Sequence, residues 1–482
     1  MDYGVVIVGA GFAGLGMAIS LKRGGRDDFV ILEKAAELGG TWRENTYPGC
    51  GCDVPSHLYS FSFAPNPQWS RSYADQPEIL EYLRRVAESF DVTRYIRFNT
   101  EFVDARFDES ADRWVVTTRD GGTVTGRALV LGVGPLHRPA YPDLPGLASF
   151  TGPTFHSARW EHDIDLTGKR VAVVGTGASA IQFVPEIAPK VQQLHVFQRT
   201  APWLLPRPDH PFGPRSKRVF TTVPPARWAY RAALYWRNEL AAAGFTMNPK
   251  LMRLAAWVSR RHLAKQVTDP ELRAKLTPAY TIGCKRILVA STYYPALTRP
   301  NVELVTDPIA EIGPEWIATN DGTQRRVDVI IFGTGFHVID TLGELSITGP
   351  GGVTLSDAWR GGVEAYLGMT VAGFPNLFIM LGPNTGLGHN SVVFMIEAQL
   401  RYVTRCLSQL RDGGRLTVNP QAQRDFNTRL QRKMRRTVWT AGGCRSWYLD
   451  SDGVNRALWS GSSAGYWLRT RRPRRADYLV ER

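Results

Sequence analysis

An α/β protein with two Rossmann-like dinucleotide-binding domains is what the sequence predicts, on three observations. Short β-type runs lead into glycine-rich turns and helical patterns twice, over residues 4–21 and 170–187. That alternation belongs to parallel sheets covered by helices. The 482 residues also exceed what a single core serves, so several domain-sized units are expected.

The first unit opens with Val5-Val6-Ile7-Val8, which reads as a short buried strand feeding a turn. The turn is Gly9-Ala10-Gly11-Phe12-Ala13-Gly14, placed between strand and helix as a dinucleotide fingerprint requires. Its first glycine permits the tight turn, its second lets a pyrophosphate approach the backbone, and its third lets helix pack on strand. The helix N-terminus then faces the phosphates. A second strand, Phe29-Val30-Ile31-Leu32, ends in Glu33, placed to accept a hydrogen bond from a ribose hydroxyl.

The second unit repeats the pattern with Val171-Ala172-Val173-Val174 and Gly175-Thr176-Gly177-Ala178-Ser179-Ala180, alanine standing at the third glycine site. Glu33 lies 24 residues after Gly9, and Arg199 lies 24 residues after Gly175. An arginine in place of the carboxylate suits an adenosine 2′-phosphate, and Thr200 adds a hydroxyl beside it. Two sites of opposite local charge point to FAD in the first unit and NADPH in the second. A surface arginine at a strand end is the plainer alternative for Arg199.

Residues 208–276 lack strand-like runs and carry Arg, Ala, Trp and Leu at helical spacing, as in Trp228, Ala232, Tyr235 and Trp236. This segment is expected to be a helical excursion inside the second domain. Its aromatics are expected in the helix core, a substrate approach being the alternative. A strand over Val327–Phe332 then returns the chain to the first domain. The division expected is 1–150 for the first part of the FAD-binding domain, 151–330 for the NADP-binding domain, and 331–482 for the completing part and tail.

Composition excludes several classes. Apolar residues at 43% and charged residues at 21% are those of a folded enzyme, not of a disordered or fibrous chain. No stretch has the length of uncharged apolar residues that a transmembrane helix needs, and the glycine-punctuated start is not read as a signal peptide. Five scattered cysteines, Cys50, Cys52, Cys284, Cys406 and Cys444, do not read as a disulfide framework, which favours a reducing, cytoplasmic setting. Cys50 and Cys52 lack a second pair at zinc spacing, so no metal site is expected. The net charge of +14 includes five arginines between Arg469 and Arg475. With no nucleic-acid module beside them, these read as a solvated basic tail.

Longer motifs carry a family resemblance. Phe150-x-Gly152-x-x-x-His156-x-x-x-Trp160 resembles the linker signature of the type I Baeyer-Villiger monooxygenases, although Glu161 replaces the usual proline or aspartate. Gly39-Gly40-x-Trp42, Tyr47-Pro48-Gly49 and Asp53 resemble the segment that wraps the flavin in that family. Asp328 with Gly333-Thr334-Gly335, and Gly283-Cys284-Lys285-Arg286, extend the likeness over nearly the whole chain. The resemblance implies FAD contacts from Gly40, Thr41, Trp42, Asp53 and Tyr59, with Lys34 following Glu33. It implies that Lys285 joins Arg199 at the 2′-phosphate, that Gln182 contributes to cofactor binding, and that Arg286 stands over the flavin beside the nicotinamide. His156 is read either as a hinge residue between domains or as a structural histidine, and Trp447 as a candidate substrate wall.

The chemistry implied is oxygen insertion: NADPH reduces FAD, O2 adds, and a peroxyflavin attacks a ketone to give an ester or lactone. A peroxide anion in a low-dielectric pocket needs a permanent cation, which favours Arg286, with Asp53 orienting its guanidinium. Three rivals use the same cofactor folds. A flavin N- or S-oxygenase would transfer oxygen to a heteroatom. A flavin disulfide reductase needs a reducible cysteine pair, and the Cys50-x-Cys52 spacing is unusual for one. The third rival is a non-catalytic flavin-binding protein.

Overall fold

The computed structural model describes residues 2–246, 251–338, 343–410, 414–444 and 446–481. The first sheet is laid down early in the chain, by β1 (Asp2–Val8), β2 (Phe29–Leu32), β3 (Ile96–Arg97), β4 (Phe102–Asp108), β5 (Arg113–Thr118) and β6 (Thr123–Leu131). β1 lies parallel between β2 and β6, with Val6 opposite Val30 on one side and Leu129 on the other. Alternate residues of β1 enter different cores: Val5 and Ile7 join one cluster, and Val6 and Val8 another. Both faces of the strand are therefore covered, which is why its sequence is an unbroken apolar run.

β4, β5 and β6 form an antiparallel meander on the far side of β1. Two late strands complete this sheet, Ser346–Thr348 beside β4 and Leu377–Ile379 beside β6. The second sheet is wholly parallel. It contains β7 (Thr154–His156), β8 (Arg170–Val174), β9 (Gln193–Phe197) and the strands Val302–Val305 and Val329–Phe332. β8 is central, between β9 and Val329–Phe332, and its Val171 and Val173 face one core while Ala172 faces another. The strand over Val329–Phe332 thus belongs to the second sheet, and the chain rejoins the first at Ser346.

Helices follow the central strands. α1 (Phe12–Arg23) succeeds β1, α2 (Thr41–Glu44) and α3 (Gln76–Ser89) succeed β2, and α4 (Ala180–Ile187) succeeds β8. Around residues 208–276 run α5 (Pro214–Thr222), α6 (Pro224–Thr246), α7 (Met252–Gln266) and α8 (Pro270–Lys275), with 247–250 outside the described residues. The aromatics expected in the helix core divide: Trp228 is 45% and Trp236 56% exposed, whereas Tyr235 is half-buried against Phe394 and Phe245 is buried. The inward face of α6 is Arg231, Leu234, Glu239, Ala242 and Phe245. Aromatic bulk suggested a buried stripe, but two charged residues with dedicated partners occupy the buried side.

Candidate active site

The two glycine-rich turns sit at the carboxyl ends of β1 and β8, where doubly wound sheets hold their ligands. Gly9 has φ +95°, and a Cβ there would lie 2.7 Å from the Gly132 carbonyl oxygen. Gly14 is closer still to the strand, its Cβ position falling 1.8 Å from Gly9 O. A Cβ on Gly11 would meet only Gly40, at 3.5 Å, so this turn is open on the side where a pyrophosphate would lie. Phe12 and Ala13 turn their side chains into the core, Phe12 against Tyr59 with ring centroids 5.2 Å apart. They can address a cofactor only through the first-turn backbone of α1.

Glu33 is buried, 4% exposed, and tightly held. One carboxylate oxygen accepts the Ala10 N–H at 2.8 Å, and the other accepts Ala35 N–H at 3.0 Å and Arg43 Nη1 at 2.8 Å. A carboxylate offers about four acceptor sites, so capacity for a ribose hydroxyl remains. Arg43, which the sequence reading missed, also pairs with Glu44. Lys34 is exposed and lies 3.7 Å from Glu44.

Residues 39–53 form the wrapping segment. Gly40, at φ +55°, passes against Gly11, and Thr41 and Trp42 begin α2. Trp42 Nε1 donates to the Tyr59 hydroxyl at 3.2 Å, and burial raises the Tyr59 phenol well above its ordinary value. Gln182, expected to touch a cofactor, also binds protein on two sides. Its Oε1 accepts from Tyr47 OH at 2.9 Å and from Gly51 N–H at 3.3 Å, and its Nε2 donates to Gly51 O at 3.0 Å. This carboxamide fastens the wrapping segment to α4.

At the second turn Gly175 has φ +109° and would clash with Gly333 O, at 2.5 Å, if it bore a Cβ. Gly177 is open, with nothing nearer its Cβ position than 3.7 Å. Thr176 Oγ1 donates to the Thr200 carbonyl at 3.3 Å, tying turn to strand end, while Ala178 and Ser179 are half-buried ahead of the buried Ala180. Leu204–Leu205 pairs with Leu288–Val289 and Trp203 Nε1 donates to Tyr280 O, so the chain around 285 is laid beside the end of β9. Lys285 is depressed by burial and by the charge of Arg199. Neither cation pairs with a carboxylate among the described residues, an arrangement that an anionic phosphate satisfies.

Arg286 meets Asp53 between the two turns, Nη2 to Oδ2 at 2.5 Å. The Asp53 charge, opposed by burial, lifts the guanidinium well above its ordinary value, so it is always charged. Its side chain is nevertheless 39% exposed, to open space rather than to packed protein. Arg207 Nη2 holds the carbonyls of Cys52 and Tyr73, fixing the segment that carries Asp53. Of the tail residues it is Tyr448 that reaches this centre: it is buried and feels the Arg286 charge, while Trp447, the expected wall, is 47% exposed. A disulfide joins Cys284 to Cys444, 160 residues apart, and brings the tail to the Arg286 loop. The five cysteines, which did not read as a disulfide framework, hold this one bond, and their spacing in sequence carries no trace of it.

His156 ends β7, opposite Phe332, with no exposed surface. Its Nδ1 accepts the Ala158 N–H at 3.1 Å, and burial holds its pKa down at about 4. It stands buried at the strand end as a neutral imidazole. Trp160 packs edge-on against Phe155 and tilted against Phe183. Among the described residues no cluster of metal-ligating side chains is found, and no helix is long and apolar enough to cross a membrane.

The open turns, the buried Glu33 and the unpaired cations fit FAD and NADP, and known proteins agree. A family profile described as pyridine nucleotide-disulphide oxidoreductase matches residues 6–220. A Baeyer-Villiger monooxygenase of Streptomyces coelicolor is 48% identical over 99% of this chain and 92% of its own length. An oxidized steroid monooxygenase bound to NADP matches with TM-score 0.88 and 32% identity, covering all of both chains. OTEMO, solved in complex with FAD and NADP, gives TM-score 0.90 at 29% identity over 99% of each. A shared fold at full length, with nearly half the residues identical to a named member, places the chain in its family: it belongs to the Baeyer-Villiger monooxygenases.

Proposed function

We propose that the chain inserts one oxygen atom of O2 beside the carbonyl of a ketone at the point where Asp53 and Arg286 meet. The cofactors are FAD and NADPH, which when bound supply the reducing equivalents and the oxygen activation. Gly9, Gly11, Gly14 and Glu33 would hold FAD with the segment 39–59, and Gly175, Gly177, Arg199 and Lys285 would hold NADPH. The single observation that carries the reading is Arg286, permanently charged, anchored by one carboxylate and open on its other side. A guanidinium fixed this way stabilises negative charge on oxygen without reorganising. Asp53 orients it, the buried Tyr448 lies within reach of its charge, and the disulfide ties the tail to its loop.

Thiol chemistry argues against a disulfide reductase. Redox-active cysteines have lowered thiol pKa values. Burial instead pushes Cys50 up to about 12 and Cys52 higher still. The sheets support a division in which 1–150 carries FAD with the C-terminal part and the central part carries NADP, the return falling after Phe332 rather than at 330. The test is product analysis with FAD-loaded enzyme, NADPH and isotopic O2, on linear, cyclic and aryl ketones and a thioether. Ester or lactone bearing one labelled oxygen is expected; sulfoxide as the sole product throughout would overturn the reading.

A further inference from the structure

Residues 210–268 carry eleven lysines and arginines against one acid, Glu239, in a chain whose whole net charge is +14. That acid is withdrawn from the surface. Its oxygens accept from Asn390 Nδ2 at 2.8 Å, Ser463 Oγ at 2.5 Å and Ala464 N–H at 3.0 Å. The outer face of these helices is therefore purely cationic, yet it also holds much of the molecule's exposed apolar bulk. Trp228 and Trp236 on α6 and Trp257 on α7 are 45%, 56% and 56% exposed, and Leu240, Leu251 and Leu254 are 74%, 58% and 69% exposed.

On α6 the exposed residues form a stripe. Trp228, Ala229, Ala232, Ala233, Trp236 and Leu240 all face outward. At 100° per residue they span a sector of about 140° in which the only polar side chains are Glu239, buried on its partners, and the half-buried Thr246 at the helix end. A surface helix ordinarily turns its polar side outward, so this face is inverted. Leu251, just before α7, packs within 3.8 Å of the Cβ position of Gly244, one turn beyond Leu240, so the start of α7 lies against the end of α6. Along its other edge Trp228 and Ala232 line a groove of about 780 Å³ with Arg23, Arg401, Arg405 and Trp467. Arg401 lies over the Trp467 ring at 4.4 Å, and Arg471 of the basic tail at 5.7 Å.

We propose that α6 and α7 form a peripheral docking surface for an anionic lipid bilayer. Tryptophans suit the boundary between headgroups and acyl chains, exposed leucines suit the acyl side, and arginines suit anionic headgroups. A second copy of the chain fits poorly, because a two-fold pairing would set this cationic face against itself. A nucleic-acid strand fits poorly as well: stacking surfaces present aromatic rings to bases, whereas here leucine and alanine fill the stripe between the tryptophans. The inference is independent of the reaction catalysed.

The test is sedimentation of the FAD-loaded full chain with vesicles of phosphatidylcholine alone or with phosphatidylglycerol, at low and high salt. Binding is expected only to the anionic vesicles, and should weaken with salt. Arg253→Gln and Arg261→Gln should each weaken it about fivefold. Trp236→Ser with Leu240→Ser should weaken it about tenfold or more even at low salt. Melting temperature and NADPH turnover with a water-soluble ketone should stay at parent values, which shows that the variants fold. Absence of binding to anionic vesicles, equal binding to both vesicle types, or parent-like binding by the Trp236/Leu240 variant would overturn the proposal. So would salt-sensitive binding to a single-stranded oligonucleotide without vesicle binding, which would assign the face to nucleic acid.

Discussion

At the scale of single residues, charge placement decides the chemistry. Arg286→Ala should leave FAD content intact and cut ester formation by about a hundredfold to a thousandfold, the usual cost of a lost preorganised donor. Hydrogen peroxide should replace ester at the same NADPH consumption, measured by a peroxide assay beside product analysis. Near-parent ester formation would show Arg286 to be an interface residue only. Arg199→Ala should cost NADPH about tenfold to a hundredfold in KM and NADH little, because a charge-assisted contact to the 2′-phosphate exists only for the first. Equal losses would remove the assignment. The place of Arg199 just past the end of β9 was legible because spacing from the turn fixes the strand end. The protein contacts of Gln182 and the approach of Tyr448 were not, since a helical face and a tail delivered by a distant disulfide depend on contacts far apart in sequence. Arg43 was invisible for a similar reason: its ion pair with Glu33 forms only after the segment has wrapped.

At the scale of elements, the strand–turn–helix units announced themselves because a strand covered on both faces must be continuously apolar. The meander β4–β5–β6 did not, because half-exposed strands alternate and carry polar residues such as Arg113 and Thr117. Helix α6 was read as helix but with Trp228 and Trp236 inward, whereas its buried side is built on Arg231 and Glu239. The wrapping segment owes its place to tertiary ties, and the disulfide is the longest of these. Replacing both Cys284 and Cys444 by Ala should lower stability by about 2–5 kcal/mol, because the bond closes a loop across most of the second half of the chain. The loss should appear as a lower melting temperature, reproduced in the parent by reductant. Release of the tail that carries Tyr448 should also raise peroxide leakage. A melting temperature indifferent to both treatments would show that the bond contributes nothing to stability.

At the scale of the whole molecule, buried histidines link pH to the packing of its parts. His57, 4% exposed, is enclosed by the rings of Phe212, Phe220 and Tyr230, with Arg231 and Arg227 facing it. His156 stands at the end of β7 with Arg159 nearby. Burial, aided by these cations, holds both near a pKa of about 4 in the folded chain, against an ordinary value of 6.5. The unfolded chain therefore binds protons that the folded chain refuses. Stability is fully present above pH 6.5 and is lost as pH falls from there toward 4. At pH 5 each histidine should cost about 2 kcal/mol. Glu239, lowered to about 2 in the folded state, loses its contribution only below pH 4.5, outside this window. Glu397, raised by burial, acts in the opposite sense and offsets part of the loss. Melting temperature measured from pH 7.5 to 5 should fall in the parent and fall less in His57→Phe, which keeps an aromatic ring among its neighbours but cannot take a proton. If the two proteins lost stability in parallel across that range, His57 would be excluded as a source of the acid sensitivity.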